Sequence, residues 1–292
     1  MTLGITGATG LIGGAVLDLA LRRGHEVVAF SRDPQRAIPG CEMRAFSLDA
    51  PPDLRGCDAI IHLAGESILG FPTPARKRRV VQSRVLGTRR MVEAINASAS
   101  EQPEVFVCGT GIGIYGDSGD VELTEGAPAG SGFLSETVQL WENEARQVQG
   151  SRLVLLRTSV VLAKRGGALK MMAPFFRAGL GAQIGDGRQW MSWIHLEDQA
   201  RLILFAVENL DLAGPVNASA PWPVRNADFT RTLATVLRRP AFLRAPAFAL
   251  APLGGVGREV LDSKRVVPAA ATDHGFGFHF PELEPALRNL LG

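Results

Sequence analysis

The feature that most constrains this chain is a glycine-spaced turn near its start. Residues 7–13 read Gly7-Ala8-Thr9-Gly10-Leu11-Ile12-Gly13. They follow an apolar run, Leu3–Thr6, and open an amphipathic stretch, Leu11–Arg23, that closes at Gly24 before a second apolar run, Glu26–Phe30. Strand, glycine turn, helix and strand in that order make a βαβ unit. Such glycines permit a tight turn, a close approach of backbone N–H groups to a pyrophosphate, and close packing of helix on sheet. The helix start adds orphan N–H donors and partial positive charge, both of which favour phosphate. Gly7, Thr9, Gly10, Leu11, Ile12 and Gly13 are therefore candidate nucleotide-binding residues.

The end of the second strand selects among dinucleotides. An NAD site places Asp or Glu there to accept from the ribose 2′-hydroxyl. This chain has Ser31-Arg32, an arginine to pair with a 2′-phosphate and a hydroxyl to donate to it. Asp33 lies beyond the strand and before Pro34, where it reads as a turn residue. The expected cofactor is NADP.

Further short apolar runs, Met43–Ser47, Ala59–Leu63, Val105–Cys108 and Leu153–Leu156, alternate with helical stretches at Arg78–Ala99 and Leu134–Gln149. That alternation predicts a parallel sheet buried on both faces. From about residue 166 the texture changes. Gly166-Gly167, Gly179, Gly181, Gly185 and Gly187 break up the chain and prolines thicken after Pro215. Helical stretches remain at Leu196–Val207, Ala227–Leu237 and Glu282–Leu291. The predicted fold is α/β: a Rossmann doubly wound parallel sheet with a smaller C-terminal α+β lobe over the sheet's carboxyl edge. The expected division is 1–165 for the NADP-binding domain, with 193–213 returning to it, and 166–292 for the substrate-side lobe.

With 292 residues and a net charge of +2, the chain does not advertise a nucleic acid or an anionic membrane as partner. Cys41, Cys57 and Cys108 have neither metal-ligand nor CxxC spacing, which fits reduced thiols in the cytoplasm. No basic segment precedes an apolar stretch at the start. The run closest to a membrane span, Phe242–Val256, is interrupted by Arg244, Pro246 and Pro252. A soluble cytoplasmic protein with a small-molecule substrate is expected.

From the strand that ends in His62-Leu63-Ala64-Gly65-Glu66-Ser67, the chain resembles the extended short-chain dehydrogenase/reductase superfamily. More narrowly it is similar to the atypical branch termed epimerase family proteins, labelled SulA-like or NAD-dependent epimerase/dehydratase-like. ITGATGLIGG (5–14), HLAGESI (62–68), ARKRRVVQSRVLGT (75–88), FLSETVQLWE (133–142), LRTSVVLAKRGGAL (156–169), WMSWIHLEDQA (190–200), VNASAPWPVRNADF (216–229) and HGFGFHFPELEPALRNLL (274–291) carry the resemblance over nearly the whole length. It implies that Leu63 and Ala64 line the cofactor, that Arg84 reaches its phosphates or ribose, and that Val161 faces the nicotinamide side. It also implies homodimerisation through the helices after the fourth and fifth strands.

The chain departs from the superfamily at the catalytic pair. Short-chain dehydrogenases carry Tyr-x-x-x-Lys on the helix after strand five. The one tyrosine here, Tyr115, is followed four residues later by Gly119. If Glu142 matches the family's glutamate, Leu134 and Val138 stand at the pair's positions. The oxygen-orienting position falls near Gly111, with Thr110 beside it. A positioned general acid contributes typically about 10²–10⁴-fold, so sugar-nucleotide epimerase chemistry is disfavoured. Tyr115 and Thr110 remain the candidate catalytic residues, Tyr115 by its place just past strand five. His195 reads as a structural cap or bridge. Trp190, Trp193, Phe175 and Phe176 read equally well as a substrate wall or as core. Two functions fit: an NADP(H)-dependent oxidoreductase with a non-standard proton source, or a catalytically quiet NADP-binding sensor or scaffold.

Overall fold

The computed structural model describes residues 1–68, 73–98, 101–246 and 261–292. The sheet is made of β1 (Thr2–Thr6), β2 (Glu26–Ser31), β3 (Cys41–Ala45), β4 (Ala59–His62), β5 (Val105–Gly111), β7 (Arg152–Thr158) and β12 (Gly214–Ala218). All seven are parallel, in the order β12-β7-β5-β4-β1-β2-β3. Alternate residues of each strand supply opposite faces. Leu3, Ile5, Ile61, Val107 and Leu156 enter one core with Val16 and Ala20 of α1 (Leu11–Arg22) and Leu202 and Ile203 of α5 (Leu196–Glu208). Val28, Phe30, Ile60, Phe106 and Leu155 enter the other with Met91 and Ile95 of α2 (Pro74–Ala97) and Trp141 of α3 (Phe133–Ala145). This is the Rossmann-type α/β sheet expected from the alternation of apolar runs and helices.

Strand order reverses between β1 and β4. In open α/β sheets the ligand crevice lies outside the carboxyl ends of the strands at such a switch point. The helix after β4 begins four residues earlier than the sequence pattern suggests. Thr73 caps it by accepting from the Arg76 N–H, and Pro74 takes the first helical position.

The stretch 193–213 holds β11 (Trp193–His195) and α5, which packs against α1, and the chain then enters β12 at the sheet's edge. Further strand pairs join β8 (Val160–Leu162) to β11, β9 (Ala182–Ile184) to β14 (Leu243–Ala245), β10 (Trp190–Met191) to β13 (Val224–Arg225), and β6 (Glu122–Leu123) to β15 (Arg265–Val266). A third core packs among α4 (Gly167–Arg177), α6 (Asn226–Leu237) and α8 (Leu283–Leu291), with Leu169, Phe176, Trp193, Phe229, Leu233 and Leu287 buried together. Trp193 and Phe176 are thus core, whereas Phe175 is exposed. A short α7 (Ala269–Asp273) packs on β12.

His195 caps α5. Its Nδ1 accepts from the Glu197 N–H, which leaves Nε2 protonated to donate to Asn289 Oδ1 of α8, and the ring stacks on Phe280 at 3.9 Å. That is the cap and bridge its sequence context suggests. Among the described residues no helix is long and apolar enough to cross a membrane. Residues 247–256 of the Phe242–Val256 run lie outside the described residues. Burial pushes the thiols of Cys57 and Cys108 up to about 11 and about 12, so both stay protonated.

Asp198, fully buried in the first turn of α5, ties the C-terminal segment down. It accepts from the backbone N–H of His279 and Phe280 and from Arg201 at 2.8–2.9 Å. Asp198→Ala strands all three donors and should lower stability by about 2–4 kcal/mol. Urea unfolding checks this, and a loss under 1 kcal/mol (roughly the net worth of one ordinary hydrogen bond) would contradict it.

Candidate functional site

The crevice between β1 and β4 is built around backbone approaches that side chains would block. Gly7 (φ +70°) packs its Cα against the peptide joining Leu63 and Ala64, so a Cβ there would sit 3.0 Å from the Leu63 carbonyl carbon. A Cβ on Gly13 would lie 2.1 Å from the Gly7 oxygen. The turn closes with the Gly10 N–H donating to the Gly7 carbonyl at 2.9 Å. α1 starts without a side-chain cap and without an acidic residue in its first turn. Its first N–H groups therefore have neither a capping oxygen nor a local carboxylate, and the arrangement fits an anionic group laid on the turn.

Thr6 fixes how the two strand ends face each other. Its buried Oγ1 accepts from the N–H groups of Leu63 (2.9 Å) and Ala64 (3.0 Å). Its proton is thereby left for His62 Nδ1, 2.9 Å away. One hydroxyl at the end of β1 thus shapes the chain leaving β4. Neither Thr6 nor His62 stands out in the sequence as a site residue, because their pairing joins positions 56 apart. With Nδ1 accepting, His62 carries its proton on Nε2, which meets no acceptor among the described residues. The ring is edge-on to Phe46, and burial lowers its pKa to about 4.

The residues expected to bind the nucleotide collect here. Leu63, Ile12 and Val161 pack partly buried against one sheet face, and Ala64 against the other. Leu11 is joined by two residues absent from the sequence expectation. Gly166 (φ +102°) and Gly167 (φ +59°) hold the start of α4 where a Cβ would lie 3.2–3.3 Å from Leu11 and 3.0 Å from the Val161 oxygen. Thr9 is exposed on the turn. In the strand register Thr6 stands beside Phe30, which places Ser31 next to Gly7. Ser31 Oγ accepts from the Asp33 N–H, the turn role anticipated for Asp33. Arg32 is exposed and has no ion-pair partner among the described residues.

Arg84 projects from α2 to Gly65, where a Cβ would touch its guanidinium at 3.4 Å. It donates to the carbonyls of Glu66 (2.9 Å) and Val80 (3.2 Å) and lies over the Trp141 ring. Burial lowers its pKa to about 10 against the opposing field of Glu66. A desolvated cation held by neutral carbonyls at the crevice's edge fits a nucleotide anion.

The candidate catalytic hydroxyls are differently placed. Tyr115 is 2% exposed; its OH donates to Asn217 Oδ1 (2.7 Å) and accepts from Arg157 (2.9 Å). Thr110 is buried and donates to Glu142 Oε1 at 3.3 Å. Glu142, fully buried on α3, receives Arg157 through two bonds (2.8 and 2.9 Å) and Arg146 through a third (2.7 Å). Burial raises the Tyr115 pKa, and Arg157 offsets only part of that. Tyr115 lies past strand five as expected, but enclosed in a hydrogen-bonded cluster that ties β5, α3, β7 and β12 together. Its hydroxyl is held between Asn217 and Arg157. Val138 of α3, a position expected at the superfamily pair if Glu142 matches its glutamate, is buried, and Leu134, the other, is half-buried.

A family model described as the NAD dependent epimerase/dehydratase family matches residues 3–218, and one for a domain of unknown function, DUF1731, matches residues 245–290. The chain is 36% identical to epimerase family protein YfhF of Bacillus subtilis, over 100% of this chain and 98% of that one. The crystal structure of human epimerase family protein SDR39U1 with NADPH matches with a TM-score of 0.91 at 34% identity, over 99% of both chains. That of a nucleoside-diphosphate sugar epimerase from Corynebacterium glutamicum matches with a TM-score of 0.82 at 31% identity, over 100% of this chain and 58% of that one.

The His62 environment generates a pH prediction. The folded protein holds His62 neutral to about pH 4, whereas the unfolded chain takes up that proton near pH 6.5. The contribution of His62 is therefore complete above pH 6.5 and is lost as pH falls toward 4, at up to about 1.4 kcal/mol per unit. Between pH 7.5 and 4.5 the wild type should lose about 2 kcal/mol more than His62→Asn, measured by denaturant unfolding. Equal losses would place the protonation elsewhere.

Proposed function

The chain belongs to the NAD dependent epimerase/dehydratase family, and from that premise we propose that it binds NADPH in the β1–β4 crevice and reduces a small carbonyl or activated-alkene substrate. The observation that carries this reading is the pairing of an uncapped glycine turn at β1 with an exposed Arg32 at the end of β2 that has no ion-pair partner among the described residues. In this reading the first N–H groups of α1 hold the pyrophosphate. Arg32 pairs with the 2′-phosphate, and the Ser31 hydroxyl, whose proton is not used by the Asp33 turn, donates to the same group. Leu11, Ile12, Leu63, Ala64 and Val161 shield the cofactor from water, and Arg84 offsets anionic charge at the crevice's edge. NADPH, when bound, supplies a hydride. The NADPH held by the human relative speaks for the same cofactor here.

The protein's own contribution to the reaction is orientation and exclusion of water rather than delivery of a proton. Apolar Leu134 and Val138 stand where the superfamily has its tyrosine and lysine, and the Tyr115 and Thr110 hydroxyls are engaged inside the Glu142–Arg157 cluster. Such a site suits acceptors whose reduced anion persists long enough to take its proton from bulk water as it leaves the crevice. The same closed cluster favours a second reading, in which the protein binds NADPH and senses or scaffolds without turnover. A screen for NADPH consumption across carbonyl compounds and electron-poor alkenes separates the two.

Arg32→Ala should weaken NADPH binding at least about ten-fold while leaving NADH nearly unchanged, since one charge-assisted contact is worth about 1.5–3 kcal/mol. Titration calorimetry with both nucleotides tests this, and equal losses would remove the 2′-phosphate assignment. For any substrate found, Tyr115→Phe should retain turnover while costing about 1–3 kcal/mol of stability, because Asn217 and Arg157 lose a buried partner. A folded, NADPH-binding variant without turnover would return the proton step to Tyr115.

A further inference from the structure

The net charge of +2 conceals an uneven distribution. Residues 163–185 and 238–246 contain seven basic residues, Lys164, Arg165, Lys170, Arg177, Arg238, Arg239 and Arg244, and no Asp or Glu. The fold brings the two stretches together. Leu243 pairs with Ala182 in the β9–β14 ribbon, and Arg239 Nε donates to the Arg177 carbonyl at the end of α4 at 2.9 Å. Arg238, the one non-glycine residue with positive φ (+53°) among the described residues, forms the turn that delivers Arg239.

This basic face also carries an apolar crown. Met171 and Phe175 lie one turn apart on α4, Leu180 follows where its N–H donates to the Phe175 carbonyl, and Phe242 directly precedes β14, which Leu243 opens. These make five of the eleven exposed large apolar side chains among the described residues, with Phe175 at 62% and Phe242 at 78% exposure. Scattered apolar side chains need no explanation; a cluster does. Beside it a hollow of about 490 Å³ between β9 and α6 is lined by Gln183, Thr230 and Thr235 with Arg231, Arg238 and Arg239. Asp228, 2.6 Å from Arg231, is the acid paired there.

We propose that this face docks on a membrane surface containing anionic phospholipid. The apolar crown enters the headgroup boundary, the surrounding lysines and arginines meet the lipid phosphates, and the arginine-lined hollow receives a headgroup. Exposed Phe, Leu and Met ringed by basic residues is the composition that binds such interfaces. A second copy of this chain would set one basic face against another, and a nucleic acid backbone would leave the crown without an apolar partner. A protein of ordinary mixed charge would meet repulsion from its own basic residues. An anionic lipid surface satisfies both the crown and the charge. This inference does not rest on the cofactor or the reaction.

The test is co-sedimentation of the full chain with large vesicles of phosphatidylcholine alone and of phosphatidylcholine with about 30% phosphatidylglycerol, at low and high salt, since attraction to anionic lipid is screened by ions. Retention on the anionic vesicles should exceed that on the neutral ones at least ten-fold and fall with salt. Phe175→Ser with Phe242→Ser, and separately Lys170→Glu with Arg244→Glu, should each reduce it at least ten-fold while circular dichroism stays unchanged. No retention, retention equal on both vesicles, or retention unaffected in both double variants would overturn the proposal. So would concentration-dependent self-association, seen by analytical ultracentrifugation, that the phenylalanine variants abolish.

Discussion

The hydroxyl of Thr6 is a small group on which the candidate site depends. It sits where strand order reverses, and it accepts from the first two N–H groups of the chain leaving β4 while donating a hydrogen bond to His62. Without it those groups would be buried with no partner at the mouth of the crevice, a cost of about 1–3 kcal/mol for each. The glycine turn then completes what Thr6 begins. Gly7 lies on the Leu63–Ala64 peptide that Thr6 has positioned, and Gly13 lies on Gly7. The crevice is a chain of contacts in which each approach presupposes the one before it.

A second constraint is a buried charge cluster behind the crevice. Short-chain dehydrogenases aim a tyrosine and a lysine from the helix after strand five. Here that helix contributes Glu142, fully buried, to a charge cluster with Arg157. Such a pair is costly to desolvate and holds only when every polar atom is satisfied. The cluster meets that demand by drawing in Thr110, Tyr115, Arg146 and Asn217. Hydroxyls that look available in the sequence are consumed in that satisfaction.

The parts of the fold legible in the sequence are those governed by local pattern. Strands apolar on both faces and the helix that closes at Gly24 could be read directly, whereas the start of α2 at Pro74 could not. β3 lies two residues earlier than its apolar run suggests, because it is an edge strand that is largely half-buried and carries Glu42 and Arg44. α4 is hidden in the sequence because Gly166-Gly167 read as breakers, yet Gly167 opens a continuous helix that also holds Pro174. β12 was obscured by Pro215, which an edge strand tolerates because one side of its backbone needs no partner. The site divides in the same way. The glycines and Arg32 are visible as spacing, and Arg84 only through resemblance. Thr6, His62 and the Tyr115 cluster depend on pairings across 15–102 residues that no local pattern records.

The edge position of β12 bears on how this protein emerges from a ribosome. β7 has β12 as its neighbour on one side, and Asn217, which holds Tyr115 in place, comes sixty residues after Arg157. Until residue 218 has left the exit tunnel, the nascent sheet exposes the outer side of β7, and the buried charge cluster lacks the amide that closes it. The nucleotide-binding unit is contiguous at its start but is finished from far downstream. Its completion therefore waits on the synthesis of β12, which follows α4 and α5 in the chain.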